Sequence, residues 1–231
     1  MQAGARFEHK YILPDANAGH LQAWLDHACA ADPRHADNVI HSLYFDSGSL
    51  DAAVEKWQST FFKTKVRLRW YTDEAGRPFE AAGYLEVKTK QGRRTRKHRT
   101  KLDLEMDRFL ADPVRAGEEM DVLGALPWLD RDTARRLRPV CVIRYHRRRY
   151  IDMRQGLRIA LDSGIGATHA NPAFRFTRRA GTLKWAVLEV KGRGRLVEPL
   201  LPRGIPQMRL ARAAFSKYGE CVQGLLTRRG G

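Results

Sequence analysis

Within residues 61–72 every second side chain is a cation or a phenol: Lys63, Lys65, Arg67, Arg69 and Tyr71 alternate with Phe62, Thr64, Val66, Leu68 and Trp70. A β-strand turns successive side chains to opposite faces, so this spacing predicts a strand with one basic and one apolar face. Residues 84–90 repeat the pattern, with Glu86, Lys88 and Lys90 opposite Leu85, Val87 and Thr89. Residues 95–103 follow with Lys97, Arg99 and Lys101, and Gly92-Arg93-Arg94 between them reads as a hairpin turn. Arginine forks and mobile lysine heads in such a row are donors suited to the oxygens of an anion.

Glu8, Glu86 and Glu189 each stand two residues before a lysine, Lys10, Lys88 and Lys191, in strand-like segments. That spacing puts carboxylate and ammonium on one face. Each pair is either a same-face salt bridge or part of a site for Mg²⁺ or Mn²⁺. Such a cation takes one or two carboxylates and completes its shell with water and phosphate oxygens.

The elements that must position these residues follow from the same patterning. Residues 6–13 and 39–46 read as strands; Pro14 and Asp15 open a helix with Leu21, Trp24, Leu25 and Ala28 on one face. Ser49 is expected to cap a short helix through Trp57. Residues 106–137 hold helical fragments, with Leu123, Leu126, Trp128 and Leu129 as core contacts. Strands return at 139–151 and 157–162 around a turn at 152–156, a loop is expected over 164–182, and a last strand over 183–191. A final helix is expected over 211–226, with a frayed tail at 227–231. The sum is one α+β domain over residues 1–231.

Composition restricts the partners. Forty-two Lys and Arg against 26 Asp and Glu leave a net charge of +16, which favours polyanions. Cys29, Cys141 and Cys221 form no CxxC pair, which suits neither a disulfide framework nor a structural zinc site and points to a reducing cytoplasm. No apolar run approaches the ~20 residues of a membrane span, and Glu8, His9 and Lys10 interrupt any leader-like start. No GxxxxGK[ST] loop and no Ser/His/Asp set appears, and His9 and His41 read as satisfied strand residues. The basic run 92–101 lacks interleaved aromatics and no helix-turn-helix, zinc-finger or RRM signature is present, which argues against nucleic acid.

If helices cover the apolar faces, the charged faces are left together inside a closed antiparallel sheet of about eight strands. So many like charges in a narrow lumen require an anionic ligand, and a linear phosphate chain has suitable width and charge density.

This arrangement resembles the triphosphate-tunnel superfamily, and within it the VTC (vacuolar transporter chaperone) polyphosphate polymerase domain. The resemblance rests on an ordered set: Arg6-Phe-Glu-His-Lys-Tyr11, Ser42-Leu-Tyr-Phe-Asp46, Lys65-Val-Arg-Leu-Arg-Trp-Tyr71, Leu85-Glu-Val-Lys88, Arg147-Arg-Arg-Tyr150, Arg158-Ile-Ala-Leu-Asp162, Leu188-Glu-Val-Lys-Gly192 and Phe215-Ser-Lys-Tyr218. It implies a closed β-tunnel with helices outside, in which Lys10, Arg67, Arg69, Lys88, Lys97, Arg147 and Arg158 contact phosphates, with Lys191 on the same strand face as Glu189. Lys101 stands in for Lys97 if the hairpin register differs. It further implies Glu189 as principal metal ligand, beside Glu8 and Glu86, and a phosphate contact from Ser216 and Lys217 on the last helix. The hydrolase and cyclase branch opens on Glu-x-Glu-x-Lys, whereas Arg6 stands here in place of the first Glu. The expected activity is therefore a polyphosphate polymerase using a nucleoside triphosphate such as ATP. Metal-dependent triphosphate hydrolysis, or non-catalytic binding of polyphosphate or nucleic acid, are the alternatives.

Overall fold

A computed structural model describes residues 6–54, 62–92, 94–120, 126, 129, 131–177, 181–194 and 210–227, with backbone alone at 62 and 63. In chain order its elements begin with β1 (Arg6–Pro14), a 3₁₀ turn (Asp15–Asn17), α1 (Ala18–Ala28), β2 (Ala30–Ala31), β3 (Asp37–Asp46) and α2 (Asp51–Val54). Then come β4 (Phe62–Thr72), β5 (Ala82–Gln91), β6 (Arg94–Asp103), α3 (Met106–Ala111), α4 (Pro113–Glu119) and α5 (Arg131–Arg136). The chain continues through β7 (Arg138–Asp152), β8 (Leu157–Ala170), a 3₁₀ turn (Pro172–Phe174), β9 (Trp185–Arg193), β10 (Ala211–Arg212) and α6 (Lys217–Leu226). Backbone contacts divide it into two compact units: Met1–Asn38, Tyr145–Ile165 and Leu183–Phe215; and Val39–Arg144, Gly166–Thr182 and Ser216–Gly231.

In the first unit the strand order is β10-β1-β9-β8-β7, with β2 pairing β7. The β1–β9 ladder is antiparallel and sets Glu8 opposite Lys191 and Lys10 opposite Glu189. The alternate residues of these strands meet α1 in a core of Leu13, Leu21, Leu25, Ile159, Leu161, Leu188 and Val190. Gly192 is needed where it stands: a Cβ there would lie 2.5 Å from Leu157 Cδ2 and 2.7 Å from Phe7 Cζ.

In the second unit the order is β7-β3-β4-β5-β6. The β4–β5–β6 ladders keep Val66, Leu68, Leu85 and Val87 on one face, where they join Trp70, Leu43 and Phe45 from β3–β4 and Phe109, Val114 and Ala116 from α3 and α4. Trp70 meets Phe109 edge-on at 4.8 Å and 89°. Helices α1, α3 and α4 thus cover the apolar face in each unit, whereas the first turn of α6 reaches the charged face, where Tyr218 stacks on Tyr44.

The sheet is antiparallel in every ladder described, and among the described residues no ladder joins its end strands, β6 and β10. Three expectations are corrected. Residues 164–170 are strand, not loop: Gly164 takes φ +59°, and a Cβ on Gly166 would lie 2.7 Å from the Gly181 carbonyl. Those glycines permit a bend and a close approach within β8, and Gly166 bridges Thr182. Ala211 and Arg212 pair with Ile12 and Tyr11 rather than starting a helix, which begins at Lys217. The short helix after Ser49 is capped by Asp46, whose carboxylate accepts from the Ala52 and Ala53 amides at 2.9 and 3.1 Å. The expected Leu123 and Trp128 core contacts, the continuation of α2 to Trp57 and the tail beyond Thr227 lie outside the described residues, whereas Leu126 is buried and Leu129 packs against that core.

Candidate functional site

Hydrogen-bonded register turns the alternating cations of the second unit into rows. Ser42, Arg69, Tyr84 and Lys101 form one row across β3, β4, β5 and β6; Tyr44, Arg67, Glu86 and Arg99 form the next; Lys65, Lys88 and Lys97 follow. Lys97, not Lys101, is therefore the lysine opposite Lys88, while Lys101 pairs with Glu80 at 2.8 Å.

Glu86 is the hub of this face. Its side chain is 3% exposed, and one oxygen accepts from Arg67 Nε and Nη2 at 2.9 and 2.6 Å, with Arg69 Nη1 at 3.9 Å. The other oxygen lies 2.9 Å from Lys97 Nζ and 3.7 Å from Arg99 Nε. Burial pushes the carboxyl pKa up, but the charges of Arg67 and Arg69 and hydrogen bonds from Lys97 and Arg67 outweigh it and hold it at about 2. Around the hub, Arg67 Nη1 donates to the Tyr44 hydroxyl at 3.0 Å, Arg69 Nε to Ser42 Oγ at 3.2 Å, and the Arg99 guanidinium lies 3.8 Å from the Tyr84 ring centroid.

Lys65 Nζ donates to Ser216 Oγ at 3.0 Å, and the same oxygen caps α6 by accepting from the Gly219 amide at 3.2 Å. Lys217 is the first residue of that helix. Tyr218 donates to Asp46 at 2.8 Å, and its ring stacks on Tyr44 at 4.6 Å and 10°. Burial raises the Asp46 pKa, against hydrogen bonds from Ala52, Tyr218, Ser47 and Ala53.

A second cluster lies in the first unit. Glu8 is 3.5 Å from Lys10 Nζ and 3.7 Å from Lys191 Nζ, and Lys191 also pairs with Glu189. Burial favours the neutral acid at Glu189, yet Lys191, Arg147 and Lys10 draw its pKa below the ordinary value. Arg147 is partly buried and its Nε and Nη2 are engaged by fully buried Asp162 at 2.5 and 2.6 Å, which raises its pKa. Arg158 shares a strand face with Lys191 and Glu189 but its side chain is 78% exposed, and the acid nearest it is Asp32 at 3.9 Å.

Glu8 and Glu189 thus converge on one ammonium, the place of a cation, and their donor set fits a hard divalent ion that keeps water and phosphate among its ligands. Glu86 lies in the other unit, with its two oxygens directed at arginines and Lys97. Among the described residues no group of three or more His, Cys, Asp or Glu forms a metal cage.

Sequence reasoning missed Tyr44, Asp46, Tyr84, Arg99, Asp162 and Tyr218 as partners at these sites. Asp46, Asp162 and Tyr218 carried a signal, since each ends a motif, Ser42–Asp46, Arg158–Asp162 and Phe215–Tyr218, and Arg99 stands on the basic face that the alternation predicts. His41 is satisfied, with Nε2 3.1 Å from Thr72 Oγ1 and its ring stacked on Trp70. Buried His9 Nδ1 is not satisfied: it has no hydrogen-bond partner among the described residues.

A sequence comparison with curated proteins returns no match. Among solved structures, the chain is similar to a Pyrococcus horikoshii protein at 12% identity and a TM-score of 0.44, covering 84% of this chain and 80% of that one. It is similar to a proposed adenylate cyclase of Bacillus halodurans at 16% identity and a TM-score of 0.46, covering 83% and 82%. A proposed adenylate cyclase of Vibrio parahaemolyticus is similar at 13% identity and a TM-score of 0.37, covering 97% and 87%. No described helix is long and apolar enough to cross a membrane. The model of the VTC domain family matches residues 5–226, nearly the whole length. With its antiparallel sheet, covered apolar faces and cationic face around Glu86, the chain belongs to the VTC domain family, which ties it to triphosphate and polyphosphate chemistry.

Proposed function

We propose that this protein is a polyphosphate polymerase of the cytoplasm that extends a phosphate chain from a nucleoside triphosphate such as ATP. A terminal oxygen of the chain attacks the γ-phosphorus in line. The bond from that phosphorus to the β,γ-bridging oxygen breaks, and nucleoside diphosphate leaves. Such a transfer needs positioning and charge neutralisation rather than a covalent nucleophile.

One observation carries the reading: Arg67, Arg69, Lys97 and Arg99 converge on the single buried carboxylate Glu86, with Lys65 and Lys88 in the adjoining row. A phosphate chain can take the place that Glu86 fills in part. Lys65, Arg67, Arg69, Lys88 and Lys97, with Ser216 and Lys217, bind its oxygens, and Glu86 acts as their counter-ion. Lys10, Lys191 and Arg147 supply the cations of the first unit; Arg158 reaches phosphate only by leaving Asp32. Glu8 and Glu189 would hold Mn²⁺ or Mg²⁺, which when bound offsets negative charge on the phosphates. Arg6 in place of an acid removes a further metal ligand and favours chain building over hydrolysis.

The test is product analysis after incubation with ATP and Mn²⁺. Long chains made by the wild type and lost in Arg67→Ala are expected. Orthophosphate alone would indicate the hydrolase, and equal activity in Arg67→Ala would remove the site assignment.

A further inference from the structure

Asp46 takes no part in the transfer described above, yet it is 1% exposed and accepts four hydrogen bonds. Three come from the amides of Ser47, Ala52 and Ala53 at 2.8, 2.9 and 3.1 Å, and the fourth from the Tyr218 hydroxyl at 2.8 Å. A carboxylate fixed by three backbone amides cannot swing, so it anchors Tyr218 and with it the first turn of α6. Two branches lead from this anchor to the cationic face. Along the chain, Ser216 caps α6 and presents Oγ to Lys65 Nζ at 3.0 Å. Across the ring stack, Tyr44 presents its hydroxyl to Arg67 Nη1 at 3.0 Å.

We propose that Asp46 and Tyr218 are positioning residues, which hold the phosphate-binding cations Lys65 and Arg67 in place through Ser216 and Tyr44. The proposal rests on the reading that this face binds phosphates. Its physical basis is preorganisation: a lysine stem or an arginine fork fixed before the ligand arrives loses less rotamer freedom on binding. A buried tyrosine and carboxylate that only filled the core would give stability without setting affinity.

Tyr218→Phe keeps the ring stack and deletes the hydroxyl. On the full chain, tripolyphosphate affinity measured by titration calorimetry is expected to fall roughly three- to tenfold, the scale of one net hydrogen bond. Ser216→Ala should give at least as large a loss, since it removes both the Lys65 acceptor and a phosphate contact, and the double variant should lose less than the product of the two, because both act on Lys65. Unchanged affinity in Tyr218→Phe, or losses that multiply, would overturn the proposal even if the melting temperature falls. Tyr44→Phe checks the other branch, and its binding should weaken while the stack is retained.

Lys65→Met separates this proposal from the reading beneath it. If Lys65→Met binds tripolyphosphate as the wild type does, the phosphate reading of the face has failed. Hydrogen exchange in the ligand-free protein then judges the anchor alone. Faster exchange of the Gly219–Cys221 amides in Tyr218→Phe supports it, and wild-type exchange overturns it.

Discussion

Replacing Glu86 by Gln preserves the shape of the side chain and removes the one charge on which Arg67, Arg69, Lys97 and Arg99 converge. The pKa of Glu86 falls from 4.5 to about 2, which at ~1.4 kcal/mol per pKa unit corresponds to about 3 kcal/mol of folding stability at neutral pH. The side chain is 3% exposed, so solvent screening takes little from that figure. The sign follows from a depressed folded-state value: the contribution is complete above the unfolded pKa of 4.5 and is lost as pH falls through about 2. At pH 3 less than half of it should remain. Urea unfolding of wild type and Glu86→Gln should therefore differ by about 3 kcal/mol from pH 8 to pH 5, with the difference narrowing below pH 4.5. Tripolyphosphate should raise the melting temperature of Glu86→Gln more than that of the wild type, since the added anion replaces a lost one. Equal stabilities at pH 7, or a difference that does not change with pH, would refute the counter-ion role.

Asp162→Asn tests the first unit: it leaves partly buried Arg147 with a neutral partner in place of a buried bidentate carboxylate. Breaking such a pair should destabilise by about 3 kcal/mol or more, measured by thermal melting, and a loss under 1 kcal/mol would mean that the pair has little effect. Glu189→Gln should abolish calorimetric Mn²⁺ binding in the presence of tripolyphosphate while tripolyphosphate binding without metal persists. Undiminished Mn²⁺ binding would move the metal elsewhere.

The faces of β4, β5 and β6 were legible because a strand's period is fixed by backbone geometry, so alternation alone sorted Lys65, Arg67, Arg69, Lys97 and Arg99 from Val66, Leu68 and Val87. Partners were less legible, because they depend on register. Two of the three Glu-x-Lys pairs do bridge along their strand, Glu8 to Lys10 and Glu189 to Lys191. Glu86 instead turns to residues directly across from it, Arg67 and Arg99, since opposite side chains on adjacent strands lie ~5 Å apart and i, i+2 neighbours farther. The glycines at 164 and 166 signalled a loop by composition, but each serves the backbone within a strand. The alanines at 211, 213 and 214 favoured a helix by propensity. Pairing with β1, including the Ala213 amide on the Lys10 carbonyl at 3.0 Å, outweighs a preference of a few tenths of a kcal/mol per residue. The cap from Asp46 to α2 was hidden because the usual capping signal sits immediately before the helix, and here the acid is five residues upstream.

The two clusters differ in charge balance, and that difference assigns their chemistry better than the total of +16 does. In the first unit Glu8, Glu189 and Asp162 face Lys10, Lys191 and Arg147, with exposed Arg158 on the same strand face, so acids nearly balance cations. In the second unit Glu86 stands among Arg67, Arg69, Lys97 and Arg99, with Lys65 and Lys88 beside them, and Glu80 pairs with Lys101 in the neighbouring row. Mutual repulsion among those cations is a standing cost that one carboxylate only partly offsets. An incoming phosphate chain relieves it, so affinity for polyanions on this face follows from the same imbalance that makes Glu86 so acidic. On the proposed reading, a further acid beside Glu86 would stabilise the ligand-free protein and weaken its hold on phosphate. On that reading the scarcity of acids beside Glu86, rather than the number of cations alone, is what fits the face to a phosphate chain.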